Sequence, residues 1–273
     1  MTLHAFDQAL ALTAQTEGHY LGTTSPAYWN MVGPFGGSTA ATLLQAVLLH
    51  PALLGEPLSL TVNYAAALQQ GDFSVRARPV RTNRSTQHWT VELVQLGSGG
   101  AEEVVVTATA VTAARRSTWS QNDTPMPTVP AAETIAPMAM NFPVEWLRRY
   151  EMRPVRGSVP AQWDGSGEDS LSQLWVRDQP PRALDFLSIT AKADMFYPRA
   201  WLRRAKPVPA GTVSITVYYH AGSAQLAACG DDWVLGQAQA QAFTNGFYDQ
   251  TAQLWSQSGG LLVTTHQIVY YKE

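Results

Sequence analysis

One short strand pattern occurs twice in this chain, and that repetition constrains the fold more than any other feature. Residues 58–64 read LSLTVNY and residues 213–219 read VSITVYY, identical at four of seven positions at an offset of 155 (213 − 58). Leu58, Leu60, Val62 and Tyr64 alternate with Ser59, Thr61 and Asn63, and Val213, Ile215, Val217 and Tyr219 repeat the alternation. Period two marks a half-buried strand. A second match, VVVTATAVTAAR (104–115) with LLVTTHQIVYYK (261–272), lies at an offset of 157 (261 − 104). Each half also has an apolar segment before its matched strand, STAATLLQAVLLH (38–50) or ADMFYPRAWLRR (193–204). The first predicts a buried helix opened by Gly36 and Gly37. The second predicts a helix starting near residue 193, which Pro198 must begin or break. Further strand patterns are DFSVRARPVR (72–81), STQHWTVELVQLG (85–97), AQLAAC (224–229) and WVLGQAQAQAFTNG (233–246), with turns at GSGG (97–100) and SGG (258–260). The shared order of elements predicts an α+β duplication: two curved antiparallel sheets, each wrapped on a helix and packed as an intrachain pseudo-dimer.

Between the copies, residues 117–145 carry five prolines, Pro125, Pro127, Pro130, Pro137 and Pro143. Proline lacks a ladder donor and extends its neighbour, so the stretch reads as a connector. It divides the chain into an N-terminal repeat (1–116), a linker (117–145) and a C-terminal repeat (146–273). With 45% hydrophobic residues the chain can bury cores, and with 14% charged residues it is unlike a disordered chain. A net charge of −3 provides no field to hold a phosphate backbone, which argues against nucleic acid. The single cysteine, Cys229, allows no intrachain disulfide and lies beside Asp231 and Asp232, which disfavour a thiolate. The first twenty residues carry no positive n-region, and no apolar run approaches the roughly 18 residues of a span, so a cytoplasmic location is expected. Gly36-Gly37-Ser38-Thr39-Ala40 misses the nucleophile-elbow pattern at its last position, and no phosphate-loop or metal-ligand spacing occurs. No metal and no cofactor are expected.

Tandem helix-on-curved-sheet units describe the double hot-dog architecture, and particular residues resemble the acyl-CoA thioesterase II-like (TesB-like) family. In the first half these are Trp29, Gly33-Pro34-Phe35-Gly36-Gly37, the proline-led strand Pro57-Leu58-Ser59-Leu60-Thr61-Val62, and Arg81-Thr82-Asn83-Arg84-Ser85. In the second half they are Leu174-Trp175-Val176-Arg177 and Ala193-Asp194 before Pro198-Arg199. The resemblance covers nearly the whole chain outside the linker. It implies hydrolysis of acyl-CoA thioesters by an Asp, Thr (or Ser) and Gln site in the C-terminal half. Those positions match Asp194 at the start of the second helical segment, Thr212 in the repeated strand and Gln267 on the last strand. At the two offsets Thr212 corresponds to Pro57 and Gln267 to Ala110, so the first half lacks both polar residues and one site per chain is expected.

For thioester hydrolysis, Asp194 is suited to deprotonate water, with Thr212 and Gln267 holding that water. Gly36 and Gly37 would let the acyl carbonyl approach a helix N-terminus. Arg84, and less directly Arg203, Arg204 and Lys206, are cations available to the phosphates of coenzyme A, although solvated surface charge is the ordinary fate of each. His220 and His266 have structural or surface roles by default. Trp29, Trp175, Trp201, Phe196 and Tyr197 suit a core or an apolar acyl tunnel. The expected partner is an acyl-CoA, and the chain is either a monomer complete in its internal pseudo-dimer or a homodimer. The alternative is a non-catalytic acyl-CoA or lipid-binding protein. A dehydratase is disfavoured because 193–204 contains no histidine.

Overall fold

The computed structural model describes residues 3–139 and 144–273. Met1, Thr2 and residues 140–143, including Pro143 of the connector, lie outside the described residues. The first half contains α1 (Ala5–Ala9), β1 (Thr13–Thr16), β2 (His19–Thr23), α2 (Gly36–Leu48), β3 (Glu56–Tyr64), β4 (Asp72–Thr82), β5 (Thr86–Leu96) and β6 (Glu102–Ala113). The second contains β7 (Tyr150–Arg156), β8 (Ser172–Asp178), α3 (Phe186–Lys192), α4 (Arg199–Arg204), β9 (Ala210–Tyr219) and α5 (Ser223–Ala228). It ends with β10 (Val234–Gln239), β11 (Phe243–Thr244), β12 (Phe247–Ser256) and β13 (Leu261–Tyr271).

The strands form one antiparallel sheet in the order β1-β2-β4-β5-β6-β3-β9-β13-β12-β10-β8-β7, with β11 paired to β12. The order mirrors itself about the β3–β9 junction. The repeat offset maps Thr61 onto Thr216, and these two residues face each other across that junction with hydroxyls 3.0 Å apart. The pseudo-two-fold axis therefore passes between them. The structure is the tandem hot-dog that the duplication predicts.

Helix α2 is buried on almost every side against β4, β5 and β6, with Leu43, Leu44, Ala46 and Val47 fully enclosed. A helix apolar all round belongs inside a core. Truncating one of these leucines to alanine would cost about 2–5 kcal/mol. No helix among the described residues is long and apolar enough to cross a membrane.

Three local expectations are corrected. The helical segment expected at 193–204 is split. Its first helix, α3, begins at Phe186, capped by Asp185, whose side chain accepts from Ser188 N–H at 2.8 Å. Pro198 then stands immediately before α4, where a ring without an N–H is tolerated. Asp194 thus follows the end of one helix and does not open another. Second, 223–228 is helix α5: the segment is alanine-rich without β-branched residues, and Gln225 accepts from the Gly222 amide at 2.9 Å. Third, the alternation of β9 breaks at Val213, as described below. The proline-rich stretch expected as a connector is tied to the second half. Trp175 and Trp255 donate to the carbonyls of Pro130 (2.9 Å) and Thr124 (3.0 Å), and Arg153 donates to those of Ala132 (2.9 Å) and Ile135 (3.1 Å). Trp175 packs in this separate cluster with Trp233, Leu235 and Trp255, whereas its neighbours Leu174 and Val176 enter the main core. It therefore faces away from the helices and walls no acyl tunnel.

Candidate active site

The site is built where the end of α3, the inner face of β9 and β13, and the start of α2 converge. Asp194 follows α3 by two residues, its amide bonded to the Ala191 carbonyl at 3.2 Å. Helix α3 is anchored by Lys192, whose ammonium pairs with buried Asp178 and donates to Ser188 Oγ (2.5 Å), and by the Thr190 and Tyr219 hydroxyls, 2.5 Å apart. These ties set where the Asp194 carboxylate sits.

Gln267 is inward on β13 and only 3% exposed. Its Nε2 donates to Asp194 Oδ1 at 3.0 Å, and its Oε1 accepts from Thr212 Oγ1 at 3.3 Å. The three predicted residues thus form one chain of hydrogen bonds, Thr212 to Gln267 to Asp194. Strict alternation from Ile215 would turn Val213 inward and Thr212 outward. The register instead shifts so that Ile268 faces Ser214 and Val269 faces Thr212, leaving Val213 as the bulged residue. Val213 is pushed outward to 36% exposure, and Thr212 takes the inward position. A bulge that re-aims one side chain is a recurrent device beside active sites.

The first half supplies the other wall. The first helical bond of α2 runs from Thr39 N–H to Phe35 O (3.1 Å), so the amides of Gly36, Gly37 and Ser38 are not used within the helix. The Gly37 amide donates to Asp194. A Cβ on Gly36 would lie 2.6 Å from Asp194 Oδ2, and one on Gly37 would lie 2.4 Å from the Ala191 carbonyl oxygen. Both positions therefore exclude a side chain. Since α3 presents its C-terminal end here, α2 provides the helix N-terminus at this cluster.

Burial pushes the Asp194 carboxyl up to about 7, against the hydrogen bonds from Gln267 and Gly37, which favour its ionised form. Desolvation prevails because Asp194 has no cation among the causes of its shift. The result is an acid poised to take a proton near neutral pH.

Other predicted residues lie elsewhere. Arg84 is exposed in the β4–β5 turn. That turn lies where β3 begins, since Thr86 and Glu56 both face Ala113, whereas the cluster lies where β3 ends, since Asn63 faces Ser214. Arg84 is thus not brought to the three residues. Arg203 donates to the Gly167 carbonyl (3.0 Å), and Arg204 pairs with Glu273. His220 and His266 are exposed, against Thr264 and Asp249 respectively.

Sequence reasoning missed Tyr64. Its hydroxyl donates to the Gly36 carbonyl at 2.7 Å and steadies the start of α2. The signal was present in the repeat: Tyr64 corresponds to Tyr219, whose hydroxyl likewise ties its strand to a helix.

A family model for the acyl-CoA thioesterase N-terminal domain matches residues 25–113, and one for the C-terminal domain matches residues 122–271. No curated protein sequence matches the chain. Among solved structures, a conserved hot-dog-fold protein of unknown function from Alicyclobacillus acidocaldarius is 44% identical, with a TM-score of 0.93 over 100% of this chain and 99% of that one. The acyl-CoA thioesterase II TesB2 of Mycobacterium marinum is 18% identical, with a TM-score of 0.77 over 98% of each chain. A tesB protein of Mycobacterium avium subspecies paratuberculosis is 14% identical, with a TM-score of 0.76 over 98% of each. The last two likenesses are likenesses of fold.

Proposed function

The chain belongs to the acyl-CoA thioesterase family, a family of thioester hydrolases, and from that premise we propose that it cleaves an acyl-CoA by direct attack of water activated by Asp194. The observation that carries this reading is the Asp194 carboxylate, held by Gln267 and the Gly37 amide while burial keeps its affinity for a proton near neutrality.

In this reading ionised Asp194 accepts a proton from water as the water oxygen bonds to the thioester carbonyl carbon. The carbonyl oxygen gains negative charge and lies at the start of α2, where the Gly36 and Ser38 amides, not used within the helix, and the helix dipole favour an anion. The tetrahedral intermediate then expels the thiolate of coenzyme A. A thiol of ordinary pKa, about 8.5 for cysteine, leaves readily and takes the proton back from Asp194. The carboxylic acid and free coenzyme A depart with atoms and charge balanced. Gln267 and Thr212 fix the carboxylate and the approach of the water. Nothing in the cluster favours a non-catalytic binder, which has no use for an acid half ionised near pH 7.

The test is release of free coenzyme A, trapped by a thiol reagent, across acyl-CoAs from short to long chain, with Asp194→Ala alongside. Release should rise with pH through about 7 and fall by 100-fold or more in the variant, on the order expected for loss of a general base. Release that survives in Asp194→Ala removes Asp194 as the base. No release from any acyl-CoA removes the hydrolase reading for this substrate class.

A further inference from the structure

The inner face of the second repeat holds a polar side chain that the scheme above leaves unused. Gln250 lies on β12 directly across from Gln267, in the row Gln250–Gln267–Ile215. Cross-strand partners project to the same face, so Gln250 points inward beside the amide that holds Asp194. It is 3% exposed. Tyr248, two residues earlier on the same face, feels the charge of Asp194, which places this edge of the sheet within reach of the carboxylate.

The first repeat shows what the position holds when no polar group is required. Its equivalent row is Trp89–Ala110–Leu60, apolar throughout. Trp89 is 1% exposed and fills the space with its ring. In the second repeat that bulk is replaced by a primary amide. Beyond Gln250, β10 ends at Gln239 and is followed by the small Ala240, which packs with Tyr248 and Val269. Asp249 and Thr251, on either side of Gln250, are engaged with the Gln241 and Ala242 amides and the Gln239 carbonyl. Among the described residues, the Gln250 amide has no side-chain hydrogen-bond partner. The sealed side-chain atoms without a partner belong, among the described residues, to His19, Tyr28, Tyr150, Asp178 and Thr265. The Gln250 amide is not one of them, so its polar end keeps access to open space, where a group of a bound substrate can meet it.

Resting on the thioesterase reading, we infer that Gln250 is a specificity-determining residue that binds a hydroxyl or oxo group on the acyl chain, close to the thioester carbonyl. An amide both donates and accepts, which suits a hydroxyl. Opposed strand residues stand about 4.5–5.5 Å apart at Cβ, so the group that Gln250 reaches lies within a few bonds of the carbon that Asp194-activated water attacks. A site built to bond a polar substituent discriminates against the analogue lacking it, because the protein group is then left unpaired.

The experiment compares kcat/KM for 3-hydroxyhexanoyl-CoA and hexanoyl-CoA in the wild type and in Gln250→Leu. The wild type should prefer the hydroxylated ester by about 10-fold or more, and Gln250→Leu should abolish or reverse that preference by losing activity on the hydroxylated ester. A wild type without the preference, or a preference that survives the substitution, overturns the inference. Gln250→Met decides in the same way should the leucine variant fail to fold. Binding of free 3-hydroxyhexanoate and hexanoate, measured by calorimetry on the same proteins, separates the two readings. If no acyl-CoA is hydrolysed, the thioesterase reading fails, and loss of the preference for the hydroxy acid in the variant still decides the role of Gln250.

Discussion

The two repeats share a backbone irregularity and differ in what they hang on it. In the first, the register slips at Leu58 so that Pro57 faces Thr112; in the second, it slips at Val213 so that Thr212 faces Val269. The bulges are equivalent at the repeat offset. One turns a buried proline inward, and the other turns in a hydroxyl that reaches Gln267. One row away, Ala110 stands where the other copy has Gln267. The comparison teaches that the bulge belongs to the fold, while the chemistry depends on which copy carries polar residues at the positions it exposes. Specialisation also runs the other way. The first repeat contributes a helix start stripped to glycine, which lets the acid of the second approach.

The largest expected effect concerns the buried acid of the second repeat. Because the folded-state pKa of Asp194 is raised from 3.8 to about 7, ionisation opposes folding. Its contribution to stability is fully present below about pH 4 and is lost as pH rises through about 7. Asp194→Asn escapes that loss. The variant should be more stable than wild type at pH 8 by as much as ~4 kcal/mol, at about 1.4 kcal/mol per pKa unit, and the gap should close below pH 4. Calorimetric unfolding across pH measures this, and parallel curves for the two proteins would remove the buried acid as a source of strain.

Next in size is Gly36→Ala, which should lower kcat about 100-fold, since its Cβ would press within 2.6 Å of Asp194 Oδ2 and displace the carboxylate. Steady-state kinetics with unchanged thermal stability would separate displacement from misfolding.

Gln267→Ala makes the second repeat resemble the first. It should cost roughly 10–100-fold in kcat. It should also move the alkaline-rising limb of the pH profile upward, because a hydrogen bond favouring ionised Asp194 is lost. The reciprocal Ala110→Gln should leave turnover within about twofold but destabilise the fold by about 1–3 kcal/mol, through a buried amide without a partner. If both exchanges behave alike, the asymmetry between the copies is not functional.

Smallest is Thr212→Val, which removes the hydroxyl at the bulge and keeps the shape. A loss of about 3–10-fold in kcat is expected, near the value of one neutral hydrogen bond. No loss would show that Gln267 holds its orientation without help.

Much of this protein was determined by its sequence alone. Period-two alternation and a near-constant offset located the matched strands and their duplication, because strand patterning is local; that the two copies meet at Thr61 and Thr216 is a fact of the sheet. The asymmetry between Thr212 and Pro57, and between Gln267 and Ala110, was also legible there. The tertiary structure decided the rest. Thr212 faces the site only because β9 bulges against β13, an event of pairing that no single strand's pattern contains. Helix α3 starts at Phe186 under the Asp185 cap and is over by Lys192, so Asp194 lies past its C-terminal end and the helix N-terminus at the acid comes from the other repeat. Asp194 meets Gly36 and Gly37 across 158 residues (194 − 36) of chain, and their fit depends on how α2 packs against α3. The affinity of the acid for its proton follows from that packing, since desolvation is a property of everything folded around a group and not of its neighbours in sequence.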